Sequence, residues 1–162
     1  HHGTTLGCLR ALDRLADRGG HAKNTIDVGC GTAVLAMAAA RLWPEPVLAS
    51  DIDSVAVDVA LANAAANGLQ DRITCLEAVG FEHPHIHARA PYDLVFANIL
   101  KGPLIQIAPD MARHTATGSI AILSGLLNTQ AAEVLAAYVA AGFAEVEREE
   151  IGDWTTLILR RV

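Results

Sequence analysis

The stretch that decides the fold is Asp27-Val28-Gly29-Cys30-Gly31-Thr32-Ala33-Val34-Leu35-Ala36. An apolar run, Thr25, Ile26 and Val28, leads into it, and an alanine-rich segment with the pattern of a helix leads out. A short strand that turns on glycines into a helix brings backbone N–H groups close to a ligand. Several ligand classes compete for such a turn. A triphosphate-binding loop needs Gly-Lys-Ser/Thr after its glycines, and no lysine stands there. A dinucleotide fingerprint needs a third glycine three places after Gly31, where this chain has Val34. A branched side chain at that place is expected to crowd helix against strand, which disfavours a pyrophosphate.

Outward from the turn, strand and helix patterns alternate. Strands are expected over 25–28, 46–51, 72–77, 92–98 and 119–125. Helices are expected over 4–18, with Leu9, Leu12 and Ala16 on one face, and over 33–42. A further helix over 54–66 has Val55, Val59, Ala62 and Ala66 on one face and stops at Asn67-Gly68. Leu104, Ile107, Ala108 and Met111 mark another, and Ala131, Val134, Leu135 and Tyr138 the last, ended at Gly142. Two closing strands, 143–150 and 154–161, have only Gly152-Asp153 between them, so they form an antiparallel hairpin. Repeated strand–helix units with near-continuously apolar strands imply an α/β, Rossmann-like, mostly parallel sheet buried on both faces. Ligands of such sheets sit at the carboxyl ends of the strands, by the topological switch point.

The 162 residues suit one domain, and 52% apolar against 19% charged is a globular composition. With a net charge of −6 and no Lys/Arg cluster, direct nucleic-acid binding is not expected. No apolar run reaches the roughly 20 residues of a membrane span. Cys8, Cys30 and Cys75 are far apart, odd in number and without a Cys-x-x-Cys pair, which fits reduced thiols in the cytoplasm. The chain opens on His1 rather than Met, the expectation for a piece of something longer. A monomer is favoured.

The strand ends supply the candidate site. Asp51, after the second strand and followed by Ile52, can accept both hydroxyls of a ribose. Asp53 is most simply the N-cap of the helix that begins at Ser54. A nucleoside without a pyrophosphate points to S-adenosylmethionine, whose ammonium Asp27 could meet. After the fourth strand comes Ala97-Asn98-Ile99-Leu100. The Asn98 amide can accept hydrogen bonds from a substrate amine and orient its lone pair, but it cannot take a proton. No clear general base is visible. His83, His85 and His87 lie in what reads as a solvated polar loop. In an extended segment their rings would share one side, yet nothing completes a tetrahedral set, and no metal is expected.

The segments HHGTT, DVGCGTAVLAMAAA, DIDSVAV, NAAANG, YDLVFANIL, ILSGLL and WTTLILRR, in this order and spacing, resemble the catalytic domain of the bacterial ribosomal protein lysine methyltransferases, the PrmA family. The resemblance covers residues 1–162. It implies a class I S-adenosylmethionine-dependent methyltransferase fold with a seven-stranded sheet, and methylation of amino groups on a large-subunit ribosomal protein. It implies cofactor contacts at Thr5, Asp27, Gly29, Gly31, Asp51, Ile52 and Asn98, and places the acceptor against Asn98, Ile99 and Leu100. Two departures stand out. Family members usually carry a further glycine where Ala33 stands, and two outcomes are open for its methyl group: it crowds the cofactor and weakens binding, or a small shift absorbs it. The family's N-terminal substrate-recognition domain is also missing from this chain. A lysine methyltransferase of another protein, or a cofactor-binding domain without turnover, are the alternatives.

Overall fold

The computed structural model describes residues 2–162, with His2 described by its backbone only. Seven strands form one sheet: β1 (Thr25–Val28), β2 (Val47–Asp51), β3 (Ile73–Glu77), β4 (Tyr92–Asn98), β5 (Thr115–Leu127), β6 (Phe143–Ile151) and β7 (Trp154–Arg161). Their order is β3-β2-β1-β4-β5-β7-β6. The first five run parallel, while β7 pairs antiparallel with both β5 and β6. The hairpin at Gly152-Asp153 and the parallel core are therefore as the sequence pattern requires. The strand order reverses between β1 and β4.

Helices cover both faces. On one lie α1 (His2–Asp17), α2 (Val34–Leu42) and α3 (Ser54–Ala66). They bury Cys8, Leu12, Leu35, Ala36 and Ala60 against Ala49, Leu94, Phe96 and Ile122. On the other lie α4 (Pro84–Arg89), α5 (Lys101–Gln106), α6 (Ala108–Arg113) and α7 (Ala131–Ala140). They bury Ile86, Leu104, Met111, Val134 and Tyr138 against Ile26, Val95, Ala97 and Leu123. Successive β4 residues thus feed opposite cores, the mark of a strand buried on both sides.

Four local expectations are corrected. In α3 the buried residues are Val57, Ala60 and Ala64, whereas Val55 is 65% and Val59 42% exposed. Apolar residues are spread all round this helix, between Ser54, Asp58 and Asn63, so periodicity could not choose its inner face. In α1 the core takes Cys8, Ala11 and Leu12, with Leu9 and Ala16 only half-buried. The helix expected around Leu104–Met111 is two helices that meet at Ile107. Pro109 has no N–H to continue the first and is well suited to the first turn of the second. The polar loop contains α4, whose first residue is Pro84 and whose N-cap His83 accepts from the His85 N–H through Nδ1 at 3.0 Å. A helix spreads His83, His85 and His87 around its axis instead of along one side.

Candidate active site

Among the described residues, three cavities adjoin at the carboxyl ends of β1, β2, β4 and β5. The first, about 160 Å³, lies under the glycine turn and is lined by Thr5, Asp27, Gly29, Gly31, Val34 and Asn98, among others. The second, about 390 Å³, is mostly apolar and runs from Gly29, Asp51 and Ile52 to Val79, Ile99 and Leu100. The third, about 210 Å³, is lined by Thr4, Asn98, Ile99, Leu100, Gly125 and Trp154. Every site residue named from the sequence borders at least one of them. Asn98 borders the first and third.

Asp27 is placed by strand alternation. Ile26 and Val28 point into one core, so Asp27 points to the other face, beneath α2. It is 1% exposed, and its Oδ2 accepts the Ala36 N–H at 3.2 Å. Burial pushes its carboxyl up to about 7, against the lowering by that N–H bond, and the nearby Asp51 charge adds to the rise. Asp51 is held from both sides: Oδ2 accepts the Gly31 N–H at 3.0 Å, and Oδ1 accepts the Asp53 N–H at 3.0 Å. One carboxylate thus ties the β1 turn to the β2 turn, and each oxygen keeps a further lone pair for a ligand. Asp53 caps α3 by accepting the Val55 N–H at 2.9 Å. Ile52 is 66% exposed at the rim.

The loop after β4 is gripped by two glycines. A Cβ on Gly29 would stand 2.3 Å from Ile99 Cγ2, and one on Gly125 would stand 2.3 Å from the Ile99 carbonyl oxygen. Both glycines have positive φ, +71° and +86°. Ile99 is therefore clamped between the turn after β1 and the bend in β5, which fixes Asn98 beside it. The Asn98 side chain makes no hydrogen bond among the described residues and is half-exposed to both cavities.

Two expectations about the turn meet the structure here. Val34 does not crowd the helix–strand contact: it is 37% exposed and borders the first cavity. Ala33 is fully buried in the apolar core and borders none of the three cavities. Its departure from glycine is felt in the backbone, where φ is +67° and ψ 22°, a conformation that costs an L-residue about 1–2 kcal/mol. Thr4 and Thr5 lie inside α1, which starts at His2. Thr4 is 2% exposed, and Thr5 faces the first cavity. His1 and the His2 side chain lie outside the described residues.

Thr4, Gly125 and Trp154 are site residues that sequence reasoning missed. Trp154 belongs to a quoted motif, but its place in the third cavity depends on β7 lying beside β5, which local patterns do not show. Burial pushes the Cys30 thiol up, so it offers no thiolate despite its place in the turn.

The family model described as "Ribosomal protein L11 methyltransferase (PrmA)" matches residues 1–162. A ribosomal protein L11 methyltransferase of Mesorhizobium japonicum is 48% identical over 160 residues, 99% of this chain and 55% of that protein. One from Brucella melitensis is 45% identical over 160 residues, 99% of this chain and 56% of the relative. The chain thus spans about half the length of the curated relatives it matches. The crystal structure of a ribosomal protein L11 methylase from Lactobacillus delbrueckii subsp. bulgaricus superposes with a TM-score of 0.89 at 27% identity, covering 99% of this chain and 80% of that one. The N-methyltransferase NodS of Bradyrhizobium japonicum has a TM-score of 0.69 at 14% identity, covering 94% and 93%, and shares the fold. With the glycine turn, the paired aspartates and the Asn98 loop in these places, this chain belongs to the PrmA family of ribosomal protein L11 methyltransferases.

Proposed function

We propose that residues 1–162 are a catalytic domain that moves methyl groups from S-adenosylmethionine to lysine or other amino groups of ribosomal protein L11 in the cytoplasm. The observation that carries this reading is the place of Asn98. Its unpartnered amide stands between the cavity under the glycine turn and the cavity of Thr4 and Trp154. A group that meets both a bound donor and an incoming amine belongs there.

The residues fit the donor. The Gly31 and Ala36 N–H groups at the turn and the start of α2 are already taken by the Asp51 and Asp27 carboxylates, whose charge opposes a pyrophosphate there. A buried carboxylate with a single N–H partner, Asp27, matches a positive charge instead. Asp51 would take the ribose hydroxyls, Asp27 the ammonium, and the apolar cavity beside Ile52 and Val79 the base. Thr5 and the backbone of Gly29 and Gly31 would border the amino-acid end, and Asn98 the reacting end. When bound, the sulfonium supplies a methyl group that is already electrophilic.

The protein's own task is alignment. The Asn98 carbonyl oxygen accepts a hydrogen bond from the amine, and the clamped Ile99 and the exposed Leu100 form the wall along which the acceptor side chain enters. Trp154 and Thr4 close the far side. A lysine amine holds its proton at pH 7 by about 4.6 kcal/mol, and an apolar entry lowers that cost by disfavouring the charged form. Asp27 and Asp51 face the donor, so the proton leaves toward solvent rather than to a side chain of the site. Recognition of L11 we assign to the length of the relatives that this chain does not span.

Transfer of labelled methyl from S-adenosylmethionine to ribosomal protein L11 tests the reading. The chain joined to the remaining length of a relative is expected to label L11, and the chain alone to label it weakly. Asn98→Ala is expected to lower turnover at least a hundredfold, as loss of an orienting contact does, with donor affinity within about threefold. Full turnover in that variant would remove Asn98 from the mechanism.

A further inference from the structure

We propose that Asn63 is a positioning residue of the donor site: from α3 it holds the Thr32 carbonyl, and so keeps the glycine turn and Asp27 in place against the amino-acid end of the donor. The proposal rests on the reading of the first cavity as the place of that end. Asn63 opens the stretch Asn63-Ala64-Ala65-Ala66-Asn67-Gly68, whose last two residues stop α3. Its side chain is half-buried, and Nδ2 donates to the Thr32 carbonyl oxygen at 2.9 Å.

The Thr32 carbonyl needs such a donor. In an α-helix the carbonyl of one residue accepts the N–H four residues on. For Thr32 that partner is Ala36, but the Ala36 N–H goes to Asp27 Oδ2 at 3.2 Å. The next pair, the Ala33 carbonyl and the Met37 N–H, is regular at 2.9 Å. Thr32 is therefore the carbonyl that Asp27 displaces, and the Asn63 amide replaces the lost N–H. Asp27 keeps its one N–H without competition because Thr32 has another donor. Thr32 also stands between two residues of positive φ, Gly31 at +53° and Ala33 at +67°, and α2 has no side-chain cap of its own.

Three side chains from three elements thus hold the turn: Asp27 of β1 on the Ala36 N–H, Asp51 of β2 on the Gly31 N–H, and Asn63 of α3 on the Thr32 carbonyl. The two aspartates border the cavities, while Asn63 borders none of the three. Its removal changes the turn without removing a ligand contact. Asn63 is itself backed by its neighbours. Asn67 Nδ2 donates to the Asn63 carbonyl at 2.8 Å, and Asn67 Oδ1 accepts from Arg41 Nη2 in the last turn of α2 at 2.9 Å. α3 therefore grips α2 just before its first residue and again in its last turn.

The test is calorimetric titration of the full chain at pH 7.5 with S-adenosylhomocysteine and with 5′-methylthioadenosine, which lacks the amino-acid end. Asn63→Ala is expected to weaken S-adenosylhomocysteine binding about fivefold, the equivalent of one hydrogen bond, and 5′-methylthioadenosine binding by less than about twofold. Alanine is the most favourable residue in a helix, so this variant is expected to fold. Asn63→Asp keeps the shape but has no N–H to offer, and should show the same selective loss. A loss equal for the two ligands, or full affinity for S-adenosylhomocysteine in either variant, overturns the proposal. If S-adenosylhomocysteine fails to bind the wild type, the donor reading falls, and hydrogen exchange in the unliganded chain decides the role of Asn63. Lower protection of the Gly31 and Ala33 amides in Asn63→Ala, with Leu94 and Phe96 of β4 unchanged, supports the tie. Unchanged protection in the turn, or a loss as large in β4, overturns it.

Discussion

Replacing Asp27 by asparagine tests the electrostatics of the site without a ligand. The carboxyl is 1% exposed, has one backbone partner, and is pushed by burial from 3.8 up to about 7. The sign follows from linkage. The folded chain holds this proton more tightly than the unfolded chain, so stability falls as pH rises from about 4 to about 7 and is flat above. Between pH 5 and pH 8 this single group removes on the order of 3 kcal/mol, two units at roughly 1.4 kcal/mol each plus the tail. The amide in the Asp27→Asn variant carries no such penalty but leaves an N–H pair with few partners, at a cost of about 1–3 kcal/mol at every pH. Urea denaturation at pH 5, 6, 7 and 8 is the assay. The variant should be less stable than wild type at pH 5 and should close or reverse that gap by pH 8. A wild-type-minus-variant difference that stays constant across the range would refute the assignment of a high-pKa buried acid. The same linkage makes binding of an ammonium near Asp27 release a proton at pH 7. Calorimetry of S-adenosylhomocysteine binding in buffers of different ionisation enthalpy reads that release, and it should be absent in Asp27→Asn.

Asp51→Ala should weaken S-adenosylhomocysteine binding by more than about tenfold, because it removes the ribose acceptor and the tie between the two turns. Unchanged affinity by calorimetry would end the ribose role. Gly125→Ala should destabilise the chain by about 3 kcal/mol or more, since its Cβ would meet the Ile99 backbone at a φ of +86°. Gly118→Ala, at a φ of +93° with nothing within 4 Å, should cost only about 1 kcal/mol in the same denaturation assay. Equal costs would mean that Ile99 is not clamped. Ala33→Gly relieves about 1–2 kcal/mol of left-handed strain and gives up about 0.8 kcal/mol of methyl burial. Stability should therefore change by under about 1 kcal/mol, and donor affinity by under about twofold; a large gain in affinity would show that the methyl group does reach the ligand.

The parallel sheet made much of the site legible. In a strand–helix repeat the carboxyl end of each strand faces one rim, so Gly29, Asp51 and Asn98 could be placed together from spacing alone. What failed had local causes. The inner face of α3 was hidden because Val55 and Val57 are equally apolar, and which of them is buried depends on packing against the sheet. The His83–His87 helix follows from Pro84 after a capping side chain, a signal masked by the polarity around it. Val34 illustrates a sound conclusion drawn for an unsound reason. Val34 follows the left-handed Ala33 and lies at the cavity rim, and the stronger case against a pyrophosphate is that Asp51 and Asp27 already take the Gly31 and Ala36 N–H groups.

The clamp on Ile99 could not be read from sequence at all, because it joins residues from three strands that are far apart in the chain. On the proposed reading it also accounts for how a site whose carboxylates, Asp27 and Asp51, face the donor can work by alignment. Gly29 shapes the turn under which the donor end would lie, and Gly125 shapes the bend beside the acceptor cavity; both touch Ile99, next to Asn98. On the proposed reading the donor turn, the orienting amide and the acceptor wall are thereby packed together as one piece. An alignment fixed in this way lowers the barrier by fixing geometry before the amine arrives, and the only proton to be lost can leave before transfer begins. On that account, loosening the clamp should lower turnover with little effect on its pH dependence, whereas removal of a catalytic base would change both.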